Sequence, residues 1–494
     1  MGDERTPLLG DAHGLMYTSN AKLFLAVFSA VLGNFNFGFS MVYPSSAIPQ
    51  LKNIEDPRLR MDTDMVSWFG SVFTLGAAAG GLSAMVLNDK IGRKLCIMMS
   101  GVPSAVGYLV MGSAQATWML LLGRFLTGIA GGMTAASIPI YVSEISHPRV
   151  RGILGSCPQV TAVVGTLSLY ALGLVLPWRW LAVAGEVPTL IMLILLCFMP
   201  DSPRYLIAKG RKDKALQSLA WLRGSGANYM TEFNKIEQSV ATQGKISFLE
   251  LRTPFYYKPI LIAVGMRFLQ QMTGITPILV YLEPIFNMTK VILPGQYDAA
   301  IVGAVRLVSV LIAASLMDKA GRKALLYISG FLMFLSTLTM CLYTHTNPLP
   351  IHYINISVTS DFIARQPETL LQAAPPSLIT LIPLISTMLI IFGYAMGWGP
   401  ITWLLMSEIL PLGARGVASG LCVGVSWVTA FALTQLFMKV VDAYGLFVPF
   451  LFFSVVCVVN IIFTAVCVPE TKGHSLEDIE NYFRFGRVRS INTT

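Results

Sequence analysis

The chain has 494 residues, of which 54% are hydrophobic and only 12% charged, with a formal net charge of +9 and a mean hydropathy of +0.64. A soluble domain carries about 25% charged residues and needs them to cover its core; this composition excludes a soluble globular fold and makes the bilayer the solvent. The basic residues fall in short bursts between apolar runs, a pattern that sets membrane topology and excludes a nucleic-acid-binding patch.

Residues 1–22 form a polar tail containing Asp3, Glu4 and Asp11. They lack the basic start and short apolar run of a cleaved signal peptide, so the first apolar run is read as a retained anchor. A spanning helix needs about 20 mostly apolar residues. Six such runs follow within 23–200, at 23–43, 66–87, 95–114, 119–141, 154–176 and 181–199. Residues 201–257 alternate charged and apolar positions, with Leu216, Leu219, Ala220 and Leu222 at helical spacing, so they are read as short amphipathic helices on the membrane face. Six more runs lie within 258–468, at 259–286, 299–317, 324–343, 378–405, 417–438 and 447–468, with an irregular polar loop at 344–377 before the tenth. Residues 469–494 form a second tail. The expected fold is all-α, with about twelve spans in two six-helix halves.

With both tails and 201–257 cytosolic, most of the 35 Lys and Arg face the cytosol, as the positive-inside rule requires. The seven cysteines lie in or beside apolar runs without disulfide or zinc spacing, and the five histidines lie in loops or tails. No metal, cofactor or catalytic constellation is implied.

Two strings recur at matching places. Asp89-Lys-Ile-Gly-Arg-Lys94 follows the second span and Asp318-Lys-Ala-Gly-Arg-Lys323 the eighth. Glu144 stands seven residues before Arg151 after the fourth span, as Glu408 stands seven before Arg415 after the tenth. Duplicated six-helix halves with a solute site between them are the design of alternating-access carriers. Asp89, Arg93, Glu144 and Arg151, with Asp318, Arg322, Glu408 and Arg415, are expected to pair across neighbouring helices and across the halves as gating charges. Lys90, Lys94, Lys319 and Lys323 read as topology determinants.

These strings, together with Gly123-Arg124, Pro200-Asp-Ser-Pro-Arg204, Gln270-Gln271, Gly399-Pro-Ile-Thr-Trp403 and Pro469-Glu-Thr-Lys-Gly473, resemble the sugar-porter branch of the major facilitator superfamily over essentially the whole chain. The glycine usual upstream of the repeated string is Met85 in one half and Ala314 in the other. Within the branch the chain is similar to the class III facilitative glucose transporters. The sequon at Asn355 in the long ninth-to-tenth loop and the acidic dileucine string Glu4-Arg-Thr-Pro-Leu8-Leu9 carry that likeness. The resemblance implies N-glycan on Asn355 and a clathrin adaptor on Glu4, Leu8 and Leu9. It also implies an endosomal or lysosomal membrane, with cycling to the cell surface.

A hexose has hydroxyls that donate and accept, plus apolar C–H faces. Amides satisfy the former and an aromatic ring covers the latter. Gln159, Gln270, Gln271 and Trp403 fit those roles and align by resemblance with hexose contacts. Thr276 and Arg306 stand where the family has asparagines, Ala395 where it has a glutamate and Ala430 where it has an asparagine. Glucose itself is therefore an open question. Arg306 is expected to face the cavity, and Arg124 to pair with Glu186 at similar depth. The expected function is facilitative transport of a hexose or related small solute, with no enzyme activity. Proton-coupled symport through Glu186 and solute sensing without flux remain as alternatives.

Overall fold

The computed structural model describes residues 20–147, 150–224, 228–242, 249–289, 293–316, 319–347, 378–410, 415–471 and 476–485. Among these, eleven helices are long and apolar enough to cross a membrane. Spans one to six are Ala21–Lys52, Thr63–Ile91, Arg93–Gly112, Thr117–Ile145, Ile153–Leu172 and Trp178–Leu196; spans eight to twelve are Gly295–Leu316, Arg322–Thr346, Leu378–Met406, Ala418–Tyr444 and Phe447–Val466.

The seventh span departs from a continuous helix. It runs as Pro254–Met272, Ile275–Val280 and Leu282–Asn287. Gly274, at φ +81°, breaks it directly after Gln270-Gln271. A side chain there would meet the Phe453 ring as well as the left-handed backbone. Helices interrupted near the membrane midplane are where carriers place their solute contacts.

Small residues set the pairing of spans. Side chains added at Gly76, Gly80, Gly128 or Gly132 would strike the facing backbone of spans two and four, and those at Gly38 or Gly165 would strike spans five and one. Close backbone approach through glycines replaces the hydrophobic drive that lipid does not supply.

The linker forms helices Pro203–Ala208, Lys212–Arg223 and Tyr229–Thr242. Ser202 caps the first by accepting from the Tyr205 amide. They bury Leu206, Ala215, Leu219 and Phe233 in their own small core. Arg223 ties them to span four by donating to the Ile145 carbonyl at 2.8 Å, and pairs with Glu232 at 2.6 Å. A final helix, Leu476–Phe485, lays Ile479 and Phe483 on the second half.

The cores show which end of the bundle is closed. At the end away from the linker, a single apolar cluster includes Phe39 and Phe69 of the first half with Tyr281, Phe437 and Phe453 of the second. At the linker end each half keeps a separate core, one around Tyr141 and Leu196, the other around Trp398 and Leu405. The far end is sealed further by polar contacts between halves. Tyr170 donates to the Leu279 carbonyl at 2.8 Å, Ser71 to Gln435 at 2.5 Å and Thr63 to Asp442 at 2.6 Å, while Lys439 meets Asp64 at 3.6 Å.

Of the cysteines expected in the apolar interior, Cys96, Cys341, Cys422 and Cys457 are buried and Cys157 is half-buried. Cys197 and Cys467 are instead exposed just past span ends six and twelve.

Candidate functional site

Between the halves, toward the linker end, lies a cavity of about 300 Å³ lined by Ser156 and Gln159 of span five, Val310 and Ala313 of span eight, and Ala395 and Trp403 of span ten. Its volume is at the lower end of the range for small-molecule sites. The amide of Gln159 and the hydroxyl of Ser156 are polar groups on its wall, and the indole of Trp403, 46% exposed, is its aromatic one.

Gln270, Gln271 and Thr276 lie behind this wall and are buried. The Gln270 amide donates to the Tyr394 hydroxyl at 3.0 Å and to the carbonyls of Trp398 at 2.9 Å and Gly399 at 3.2 Å, which ties span seven to the bend in span ten. Gln271 donates to Ser426 at 3.0 Å and accepts from Thr276 at 2.9 Å. Arg306 sits one turn beyond Val310, across the apolar layer of Val163, Val310 and Ala395. It is half-buried and donates to Thr166 at 3.4 Å, with the phenols of Tyr170 and Tyr394 as its electrostatic neighbours.

Two in-span pairings differ from expectation. Arg124 does not meet Glu186. It is fully buried, donates to the carbonyls of Phe69 at 3.1 Å, Met41 at 3.5 Å and Ser40, and lies 4.7 Å over the Phe73 ring. Backbone carbonyls of spans one and two satisfy this guanidinium of span four. Glu186 instead accepts from Ser104 at 3.1 Å, at the rim of a network in which Asn36 donates to Ser104 and Thr189 and accepts from Tyr108. Its other oxygen has no hydrogen-bond partner among the described residues.

The repeated charges assemble within each half. Arg93 donates to Glu144 at 2.9 Å and to the Asn88 carbonyl at 3.0 Å, and Ser202 donates to the other Glu144 oxygen. In the second half Arg322 donates to Glu408 at 2.9 Å, and Thr471 to its other oxygen at 2.5 Å. The start of span three, at Lys94, donates its backbone amide to Asp201, and the start of span nine, at Arg322 and Lys323, donates to Glu470. A carboxylate at a helix N-terminus is favoured by the helix dipole. Burial nevertheless pushes the Asp201 carboxyl above the ordinary range, against the pull of its backbone donors, Lys94 and Arg93. Of the expected charges, Arg93 with Glu144 and Arg322 with Glu408 therefore pair across neighbouring helices. Among the described residues, neither Arg93 nor Arg322 reaches across the halves. Asp89 is 82% exposed and 3.9 Å from Arg93. The side chains of Arg151 and Arg415, and Asp318, Asn355, Glu4, Leu8 and Leu9, lie outside the described residues.

The structure adds residues that the sequence reading left without a role. Arg267, fully buried, lies 3.8 Å over the Trp403 ring and donates to Gln270 and, at 3.0 Å, to Ser426. Its charge inside a span was the available signal. Asn36 and Ser40, like Ser104 and Tyr108, are polar pairs four residues apart, a spacing that places both on one helix face.

Comparison with known proteins agrees with this architecture. Residues 25–483 match the family model of sugar (and other) transporters. The chain is 59% identical to human solute carrier family 2, facilitated glucose transporter member 6, over 97% of this chain and 95% of that protein. It is 60% identical to the mouse protein of the same name, over 95% and 93%. Its fold is similar to that of the Escherichia coli xylose transporter XylE in a partially occluded inward-open conformation, with a TM-score of 0.75 and 20% identity over 92% of this chain and 100% of that one. With its two six-helix halves, broken seventh span and duplicated charge clusters, the chain belongs to the sugar (and other) transporter family.

Proposed function

We propose that the chain carries a hexose or related small solute across its membrane by alternating access, as a uniporter. The observation that carries this reading is the hexose-scale cavity lined by Gln159 and Trp403, open between separate cores at one end and closed by a shared core at the other. The relatives named as facilitated glucose transporters support the solute class. The halves 23–200 and 258–468 are the moving units, and the linker 201–257 and both tails face the cytosol. The chain then stands in its inward-facing state. On closure of the linker end, Gln270, Gln271, Thr276 and Arg306 complete the site around the sugar.

Glucose binds weakly in this reading. Each net hydrogen bond is worth roughly 0.5–1.5 kcal/mol. Alanine at 395 and 430 and threonine at 276 remove three familiar partners, a loss of about 1.5–4.5 kcal/mol. Arg306 adds a charge and donors that favour an acceptor-rich or anionic solute.

Uptake of labelled hexoses into proteoliposomes, with and without a proton gradient, tests the reading. Uptake that equilibrates without the gradient supports uniport. Uptake that requires it favours symport through Glu186, whose half-unpartnered carboxyl is the one observation on that side.

Two features of the sequence complete the proposal. Asn355 carries N-glycan on the far side, so a glycosidase should not alter the mobility of an Asn355→Gln variant. Glu4, Leu8 and Leu9 engage a clathrin adaptor that holds the protein in endosomes or lysosomes. Changing both leucines to alanine should raise surface labelling, and unchanged labelling would dismiss the tail as the address.

A further inference from the structure

Arg267 is a fully buried cation whose hydrogen-bond partners among the described residues are all neutral. Its guanidinium lies 3.8 Å over the Trp403 ring and takes the side-chain oxygen of Gln270. It therefore occupies the space between the indole and the amide, which a sugar touching both must enter. Gln270 then has no free donor for a solute and at most one lone pair of its oxygen, because its nitrogen already serves Tyr394, Trp398 and Gly399 and its oxygen takes Arg267. A guanidinium has donors and no acceptor, so it cannot receive the hydroxyl protons that the Gln270 oxygen would. We propose that Arg267 is a specificity-determining residue that holds the sugar's place on Trp403 and Gln270, so that a neutral hexose binds only after displacing it. The stack is a cation–π contact made by a buried guanidinium, such contacts strengthen as the cation loses water, and its loss is the cost a neutral hexose meets.

This inference rests on the reading that Trp403 and Gln270 touch the sugar, and the experiment separates the two. Hexose KM and maximal rate are measured in proteoliposomes for the parent, Arg267→Gln, Arg267→Met and Arg267→Lys, with Trp403→Leu alongside. The two neutral variants should lower the hexose KM by about three- to thirtyfold, with a smaller change in maximal rate. The lysine variant keeps the charge and should fall short of both. Folded neutral variants whose KM is unchanged or raised would overturn the inference, as would failure of both to fold, which would make Arg267 a structural brace. If Trp403→Leu transports like the parent, the reading of the site fails as well. If Trp403→Leu loses uptake while the neutral variants gain nothing, only the inference fails.

Discussion

Arg124, Arg267 and Arg306 are three guanidiniums inside the bundle with three different solutions. A charge at a span centre costs roughly 2.5–3.5 kcal/mol on insertion scales and needs a partner or a function. Arg124 finds carbonyls and rings, Arg267 finds amide, hydroxyl and indole, and Arg306 finds one hydroxyl. Replacing Arg306 by asparagine is therefore expected to leave the fold intact and to raise hexose affinity by about two- to tenfold, the worth of one hydrogen bond. Had Glu186 been its partner, the change would strand a buried carboxylate and destabilise the protein strongly. Thermal melting and hexose binding of Arg306→Asn, alone and with Glu186→Gln, check this. A large loss of stability restored by the second change would contradict it. Sequence made the three charges and Glu186 visible, but gave only their depth. Pairing also depends on which way a helix face points, and on backbone carbonyls that no residue letter reveals. For that reason the sequence pointed to an Arg124–Glu186 pair that the structure does not form, while Gln159 and Trp403, picked out by residue type, line one cavity.

At the scale of elements, hydropathy located the long spans because each must present an apolar surface to lipid along its whole length. Span seven was the exception in kind. Left-handed Gly274 breaks it just beyond the polar Gln270-Gln271. The repeated strings anticipated the matched clusters Arg93–Glu144–Ser202 and Arg322–Glu408–Thr471. The third repeat was concealed because Asp201-Ser202 and Glu470-Thr471 share chemistry rather than letters. Each cluster joins spans within its half, and the expectation is that it makes the half move as one body. Arg93→Ala or Arg322→Ala should leave the half-buried partner glutamate without its cation and lower the maximal rate severalfold, with a smaller change in KM. Kinetics of hexose uptake measure both, and normal rates would reduce the clusters to topology signals.

At the scale of the molecule, the closed far end and the parted cores at the linker end describe one of two states that alternate. The far-end contacts between Thr63 and Asp442 and between Asp64 and Lys439 are exposed, and such pairs are individually worth only about 0–1 kcal/mol. That suffices to shift a balance between states a few kcal/mol apart. Lys439→Glu, which sets like charges face to face, should favour far-end opening, and exchange of Asp64 and Lys439 should restore the parent behaviour. Accessibility of a cysteine at Ser156 to a membrane-impermeant reagent from the linker side reports the shift, and equal labelling in all three proteins would dismiss the latch. The central claim is that a single site between the halves is exposed alternately to the two sides. Counterflow in proteoliposomes tests it most directly, with labelled hexose outside, a high concentration of the same unlabelled hexose inside, and no ion gradient. The account predicts transient accumulation of label above equilibrium that Trp403→Leu abolishes; uptake without overshoot, or overshoot unaltered in that variant, would contradict it.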